Sequence, residues 1–166
     1  MKGVCSFLTV LIDPQKGFRG DNKQKKIDLE RLISFAFTWG LGAALDEKSK
    51  DSFDTCVRDI FKACQYPQGF TVFDYFYDLK KSKQWVPWDD KVPNFVFSKE
   101  KSFFELMVET SITYRHSWCL ETLLEGNYPV FFTGESGVGK SVIVQNTFNK
   151  LIDRNTHQGI YLNFSA

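Results

Sequence analysis

The sequence predicts the α/β class: an incomplete P-loop α/β domain preceded by an all-α small subdomain. Three observations carry this. "GESGVGKS", Gly134 to Ser141, satisfies G-x-x-x-x-G-K-[ST] between an apolar run, Val130 to Thr133, and a helical pattern from Lys140. Earlier in the chain, apolar residues recur at helical spacing from Ile27 to Cys64. Between the two lies "LKKSKQWVPWDDKVPNF", whose Pro87, Pro93 and charges have the composition of a linker. The expected boundary is near Leu79 to Asp90, dividing the chain into residues 1–84 and 85–166.

Ile27, Leu29, Leu32, Ile33, Phe35, Ala36, Phe37 and Trp39 wrap most of a helix circumference, the pattern of a helix buried on several sides, which Gly40 and Gly42 end. Asp46 can cap the next helix, where Phe53, Cys56, Val57, Ile60, Phe61 and Cys64 form one apolar stripe before Pro67 and Gly69 stop it. "FTVFDYFYD" is short and aromatic, as in a strand or extended segment. Trp85 and Trp88 flank Pro87, and two such rings are expected to pin the linker to a neighbouring domain. Ser111 can cap a helix to Glu125 with Ile112, Cys119, Leu120, Leu123 and Leu124 on its apolar side. "NYPVFFTG" reads as a turn and strand. Lys140 to Ile152 reads as a helix with Val144, Phe148, Leu151 and Ile152 on one face, and "GIYLNFSA" as a second strand. Strand, loop, helix, strand opens a parallel sheet.

Composition narrows the function classes. Among 166 residues, 21 basic and 20 acidic side chains leave a net charge of +1, so no overall field recruits nucleic acid or an anionic membrane. Lys23, Lys25 and Lys26 are diluted by Asp21, Asp28 and Glu30, as on a solvated helix face. Cys5, Cys56, Cys64 and Cys119 have neither CxxC spacing nor histidines placed for zinc, which reads as reduced thiols in a cytosolic protein. Val4 to Ile12 imitates a leader, but Asp13-Pro14 follows where a small-x-small site belongs. The uncharged run Leu32 to Leu45 falls short of the about 20 residues that span a bilayer.

The glycine loop explains itself chemically. Gly134, Gly137 and Gly139 let the backbone of Gly134, Glu135, Ser136, Gly137, Val138 and Gly139 bend so that its N–H groups converge on a β-phosphate. The positive end of the following helix adds to that field. Lys140 would reach between the β- and γ-phosphates of ATP, and the Ser141 hydroxyl would hold Mg²⁺. Hydrolysis needs carboxylates on a later strand to fix the metal and orient water. The chain ends 25 residues beyond Ser141 with no such pair, so a phosphate cradle without a reaction centre is expected.

These residues resemble a dynein heavy chain at the join between the second and third AAA+ modules of the motor ring. The family pattern V-P-x-F, F-F-x-x-x-V-P-T-x-D-T-x-R-Y, P-V-L-F-x-G-x-T-G-x-G-K-S is similar to "VPNF" from Val92, "SFFELMVETSITYRH" from Ser102 and "PVFFTGESGVGKS" from Pro129. "FAFTWGLGAALDEKSKDSFDTCVRD" from Phe35 is similar to the family's small helical lid subdomain, and "IYLNFSA" resembles the strand after the third site in axonemal dyneins. Where the family has Pro, Asp and Tyr this chain has Glu109, Ile112 and His116, while Thr110, Thr113 and Arg115 are kept. Lys50 stands where the family often has Arg. The resemblance implies that Val108 and Thr110 line the base pocket of an ATP/ADP site. It also implies a fragment of a microtubule motor of cytoplasm and cytoskeleton, in a ciliary axoneme. The implied partners are the neighbouring AAA+ modules of the same heavy chain, microtubules, and dynein intermediate and light chains.

Two other readings are open. A small P-loop kinase or signalling NTPase would need an acidic metal ligand elsewhere. A non-enzymatic structural module with a degenerate nucleotide site would draw on Glu109 and Ile112. Magnesium-dependent nucleotide affinity separates the latter from the rest.

Overall fold

The computed structural model describes residues 2–12, 18, 20–95, 108–153, 158–162 and 164. The chain divides into two compact units, Met1–Asn94 and Phe95–Ala166.

In the first unit, α1 (Lys2–Leu11) buries Phe7, Val10 and Leu11, so the run that imitates a leader is an amphipathic helix. Its partner is α2 (Asn22–Leu41), capped by Asp21, which accepts from the Gln24 N–H at 2.7 Å. Gly40 makes the approach possible: a Cβ there would lie 2.5 Å from the backbone nitrogen of Val4. As the sequence pattern predicts, α2 is buried around much of its circumference, through Leu32, Ser34, Phe35, Ala36, Thr38 and Trp39.

Asp46 caps α3 (Glu47–Ile60), accepting from the Ser49 N–H at 3.1 Å. The predicted six-residue stripe on α3 is narrower in the structure. Val57 is fully buried and Phe53 lies between the rings of Phe37 and Phe73, but Cys56 is exposed and Ile60 is 59% exposed. The helix ends at Ile60, and Cys64 is buried from a separate 3-10 turn, Lys62–Cys64, so the stripe could not continue. Asp54 accepts from the Arg58 Nε–H at 2.9 Å and the Val72 N–H at 2.6 Å. Arg58 also donates to the carbonyls of Pro67 and Phe70, which ties α3 to the following loop.

β1 (Tyr75–Tyr77) and β2 (Trp85–Pro87) pair antiparallel, Phe76 opposite Val86. Pro87, which reads as linker, stands at the end of this short ladder, where a missing N–H costs least. The tryptophans beside it pack into the first unit. Trp85 stacks on Tyr66 with centroids 4.0 Å apart and donates to the Cys64 carbonyl at 2.9 Å. Trp88, 2% exposed, meets Phe35, Trp39 and Phe76.

Asp28 lies at 0% exposure under this sheet. It accepts from Lys83 Nζ at 2.7 Å, Tyr77 Oη at 2.6 Å and Gln24 Nε2 at 2.6 Å. Burial alone would push its carboxyl pKa up, but the bonds from Lys83, Tyr77 and Gln24 outweigh burial and hold it below the ordinary value. Tyr77 moves the other way, to about 12, through burial and then its bond to the anionic Asp28.

The second unit contains α4 (Ser111–Glu125) and α5 (Lys140–Asp153). Its described core includes Ser117, Cys119, Leu120 and Thr122 of α4 with Ile143, Thr147 and Leu151 of α5. Of the predicted face Val144, Phe148, Leu151 and Ile152, Leu151 is buried, but its buried companions on α5 are Ile143 and Thr147, one residue before Val144 and Phe148, and Ile152 is 37% exposed. Ile112, read as apolar lining of α4, is 56% exposed. Residues 130–133, expected as a strand, carry no ladder among the described residues, and Phe131 is 88% exposed. A strand exists only through its neighbour's hydrogen bonds, and none is supplied among the described residues. The second expected strand behaves likewise over 159–162, and 163, 165 and 166 lie outside the described residues. So do 102–107 of the aromatic pre-loop pattern. No described helix is long and apolar enough to cross a membrane.

Two substitutions test this packing. Gly40→Ala should separate α1 from α2 at a cost of about 1–3 kcal/mol, seen as a lower urea midpoint and faster proteolysis within residues 2–12; an unchanged midpoint contradicts the close approach. Asp28→Asn should cost about 3 kcal/mol by leaving Lys83 without its buried anion. Because the folded pKa of Asp28 lies below 3.8, its contribution is complete above that pH and lost as pH falls through the lower folded value. Acid titration of stability should therefore be shallower in the variant than in the parent, while the contribution of Asp78 remains, a carboxylate that accepts from Lys91 Nζ at 3.3 Å and is held, against its burial, below its ordinary pKa; parallel curves would rule out this role.

Candidate functional site: a glycine loop at a helix N-terminus

The loop of residues 134–139 turns through three left-handed glycines, Gly134 (φ 150°), Gly137 (φ 82°) and Gly139 (φ 83°). Nothing lies within 4 Å of a Cβ built on Gly137 or Gly139, so glycine is required there by the dihedral and not by crowding. Glu135, Ser136 and Val138 between them are exposed. The Gly139 carbonyl accepts from the Ile143 N–H at 3.0 Å, which opens α5 immediately after the loop. The unpaired N–H groups of the first turn of α5 therefore face the same region as the loop backbone.

Lys140 is the first residue of α5, and its side chain folds back on the loop. Its ammonium donates to the Gly134 carbonyl at 3.0 Å and to the Glu135 carbonyl. Ser141 follows with an exposed side chain in the first turn. A fixed cation, a hydroxyl and a helix N-terminus around a glycine bend form a donor set suited to a polyphosphate with its divalent cation.

The predicted base-pocket residues stand before α4. Val108 is 59% exposed. Thr110, not the expected Ser111, caps α4: its hydroxyl accepts from the Thr113 N–H at 3.2 Å, while Thr113 Oγ1 accepts from the Thr110 N–H at 2.8 Å. Both positions carry hydroxyls, and the reciprocal box with Thr113 selects Thr110. Glu109 between them has a side chain only 10% exposed and accepts from Asn146 Nδ2 at 3.2 Å and from Lys150 Nζ. The segment before α4 is thereby joined to α5. Sequence reasoning singled out Glu109 as a departure but not this contact; partners 37 and 41 residues away leave no local signal.

His116 and Lys50, the other departures, have local contacts. His116 Nδ1 lies 2.7 Å from the Ile112 carbonyl and its ring stands edge-on to Phe132. Lys50 pairs with Glu47 and stands 5.8 Å from the Phe73 ring centroid. No group of three or more metal-ligating side chains occurs among the described residues.

A small helical unit with a two-stranded sheet, followed by a glycine loop opening a helix, has the parts of an incomplete P-loop α/β region of the AAA+ type, and the family models bear this class out. Residues 1–90 match the family model of the dynein heavy chain AAA lid domain, and residues 95–166 match that of the P-loop containing dynein motor region. The chain belongs to the dynein heavy chain family. It is similar to Dynein axonemal heavy chain 6 of Homo sapiens, 34% identical over 98% of this chain, and to Dynein axonemal heavy chain 10 of Homo sapiens, 38% identical over 83%. The Dynein-1-beta heavy chain, flagellar inner arm I1 complex, of Chlamydomonas reinhardtii is 31% identical over 83% of the chain. The chain spans 3–4% of the length of these relatives.

Thr110→Ala should lower the stability of the second unit by about 1 kcal/mol through loss of the α4 cap, and Thr110→Ser should restore most of it. Urea denaturation followed by circular dichroism reads this directly. Equal midpoints for parent and alanine variant would show that Thr110 does not cap.

Proposed function

We propose that this chain is the nucleotide-binding segment of a dynein heavy chain motor, joining the lid of the second AAA+ module to the start of the third. Its ligand is ATP or ADP with Mg²⁺. The observation that carries the reading is the loop itself: three left-handed glycines and a lysine ammonium poised on the loop carbonyls at the N-terminus of α5. The Gly134 and Glu135 carbonyls hold the Lys140 ammonium where phosphate oxygens would replace them as acceptors. Backbone N–H groups from Gly134, Glu135, Ser136, Gly137, Val138 and Gly139 surround the β-phosphate, Lys140 serves the β- and γ-phosphates, and Ser141 ligates Mg²⁺. The bound cation supplies neutralisation of the phosphate charge. Val108 and Thr110 lie beside the base.

The matched relatives are named as axonemal, ciliary or flagellar, which supports a place in a ciliary axoneme; the role that goes with the dynein reading is ATP-dependent movement along microtubules. In that setting the third site is regulatory, and the neighbouring modules of the same heavy chain are this segment's immediate partners. Microtubules and the intermediate and light chains are engaged through other parts of such a motor.

Isothermal titration with ATP and ADP in Mg²⁺ tests the reading. Parent protein should bind saturably, and Lys140→Ala should weaken ATP by about tenfold or more, the worth of a charge-assisted phosphate contact. Ser141→Ala should lose affinity in Mg²⁺ yet match the parent in EDTA. Equal binding by the Lys140 variant and the parent would remove the loop from the site.

A further inference from the structure

Glu109 is the acid in the second unit whose burial the loop chemistry does not use. Its side chain is 10% exposed, and it holds Lys150 Nζ and Asn146 Nδ2 across from its own segment. Burying a carboxylate is unfavourable unless a cation and further donors meet it, and here both do. The contact therefore fixes the backbone of residues 108–110 against α5.

The position of that anchor matters. Asn146 is six residues beyond Lys140, about 9 Å along the axis of α5. One helix thus carries the phosphate loop at its first turn and the anchor of residues 108–110 further along, at Asn146 and at Lys150, about 9 and about 15 Å from Lys140 along the axis. Glu109 also bears on the next turn: burial, then the charges of Glu109 and Glu121, raise the Tyr114 pKa. Among the described residues, the side chains that meet the Glu109 carboxylate from α5 are Asn146 and Lys150.

We propose that Glu109 is a positioning residue for nucleotide binding: its bond to Lys150 and Asn146 sets Val108 and Thr110 at a fixed distance from the phosphate loop, so that the base side of the site is formed before ligand arrives. This rests on the nucleotide reading above. Without the latch, the same segment must be ordered when the base binds, and that ordering is subtracted from affinity. A ligand with phosphates and no base does not need the segment and should not sense the latch.

The test compares MgATP with magnesium tripolyphosphate by calorimetry on the 166-residue chain, using the parent, Glu109→Ala, Lys150→Ala and the exchange Glu109→Lys with Lys150→Glu. Circular dichroism and thermal melting check that each variant folds. Each single variant should lose about five- to tenfold in ATP affinity while tripolyphosphate stays within about twofold of the parent. The exchange should recover ATP affinity, since Asn146 can accept from a lysine through its amide oxygen. If both ligands weaken together, or ATP is unaffected by the single variants, the positioning role is wrong while the nucleotide site stands. If the exchange stays as weak as the single variants, the ion pair is not what sets the segment. A folded parent that binds neither ligand overturns the nucleotide reading itself, and the latch with it.

Discussion

A carboxylate kept charged in a protein interior dictates the placement of everything near it, and Asp28 does this for the first unit. Fully removed from solvent, it requires donors, and they come from three places in the chain: Gln24 one turn earlier on α2, Tyr77 at the end of β1, and Lys83 in the turn before β2. Lys83 has φ 53°, and its carbonyl accepts from Arg31 at 2.9 Å. Two residues on α2, one turn apart, therefore grip the β1–β2 turn by an anion below and a cation beside it. Once that turn is set, the register of the hairpin follows, and with it the side of the sheet on which Trp85 and Trp88 lie. The aromatic cluster of Phe35, Trp39, Phe76 and Trp88 adds apolar burial at this junction, but aromatic contact is tolerant of sliding. The hydrogen bonds to Asp28 are not.

The second unit repeats the device on a smaller scale. Glu109 is an acid in a nearly closed position, met by a cation and an amide from another helix, and it connects an irregular segment to a regular one. In both cases a helix is the fixed reference and a loop is brought to it. The glycine loop has the opposite relation to its helix. Its dihedrals are set by Gly134, Gly137 and Gly139, and it reaches α5 through its own chain continuity and the Lys140 contacts. A side chain at those positions would strain the loop, whereas the loss of Glu109 would leave it intact.

The parts of this architecture that depend on short-range chemistry were legible in the sequence. Asp46 before α3, the many-sided apolar pattern of α2, and the spacing from Gly134 to Ser141 each contain their own explanation within a few residues. What depends on distant partners was not. Residues 85–87 read as linker because Pro87 argues against a strand, and only the pairing with 75–77 makes one. The α3 stripe was extended too far because Phe61 and Cys64 keep helical spacing across a point where the backbone changes to a 3-10 turn. The rotation of the buried line of α5 from Val144 and Phe148 to Ile143 and Thr147 has the same origin. Thr147 satisfies its hydroxyl on the Ile143 carbonyl at 2.9 Å, and a buried threonine of that kind is invisible to an apolar pattern.

The contrast between α5 and the segments on either side of it follows from where backbone hydrogen bonds are made. A helix satisfies its own N–H and C=O groups, so α4 and α5 need only bury one line of side chains against each other to be ordered. A strand satisfies nothing by itself, and 130–133 and 159–162 keep strand-like composition with Phe131, Ile160 and Leu162 at 73% exposure or more. The loop is consequently positioned by the helix that follows it and not by the segment that precedes it. Any ligand of the loop then binds to a framework whose rigid member is α5, and the one described side-chain attachment of the segment before α4 to that helix is the Glu109 contact with Asn146 and Lys150. Order at the phosphate end comes from glycine dihedrals and helix initiation, and order at the other end from the Thr110 capping box and the contact of Glu109 with Lys150 and Asn146. The two ends of the site should therefore respond separately to substitution, because no interaction described in this unit stabilises both.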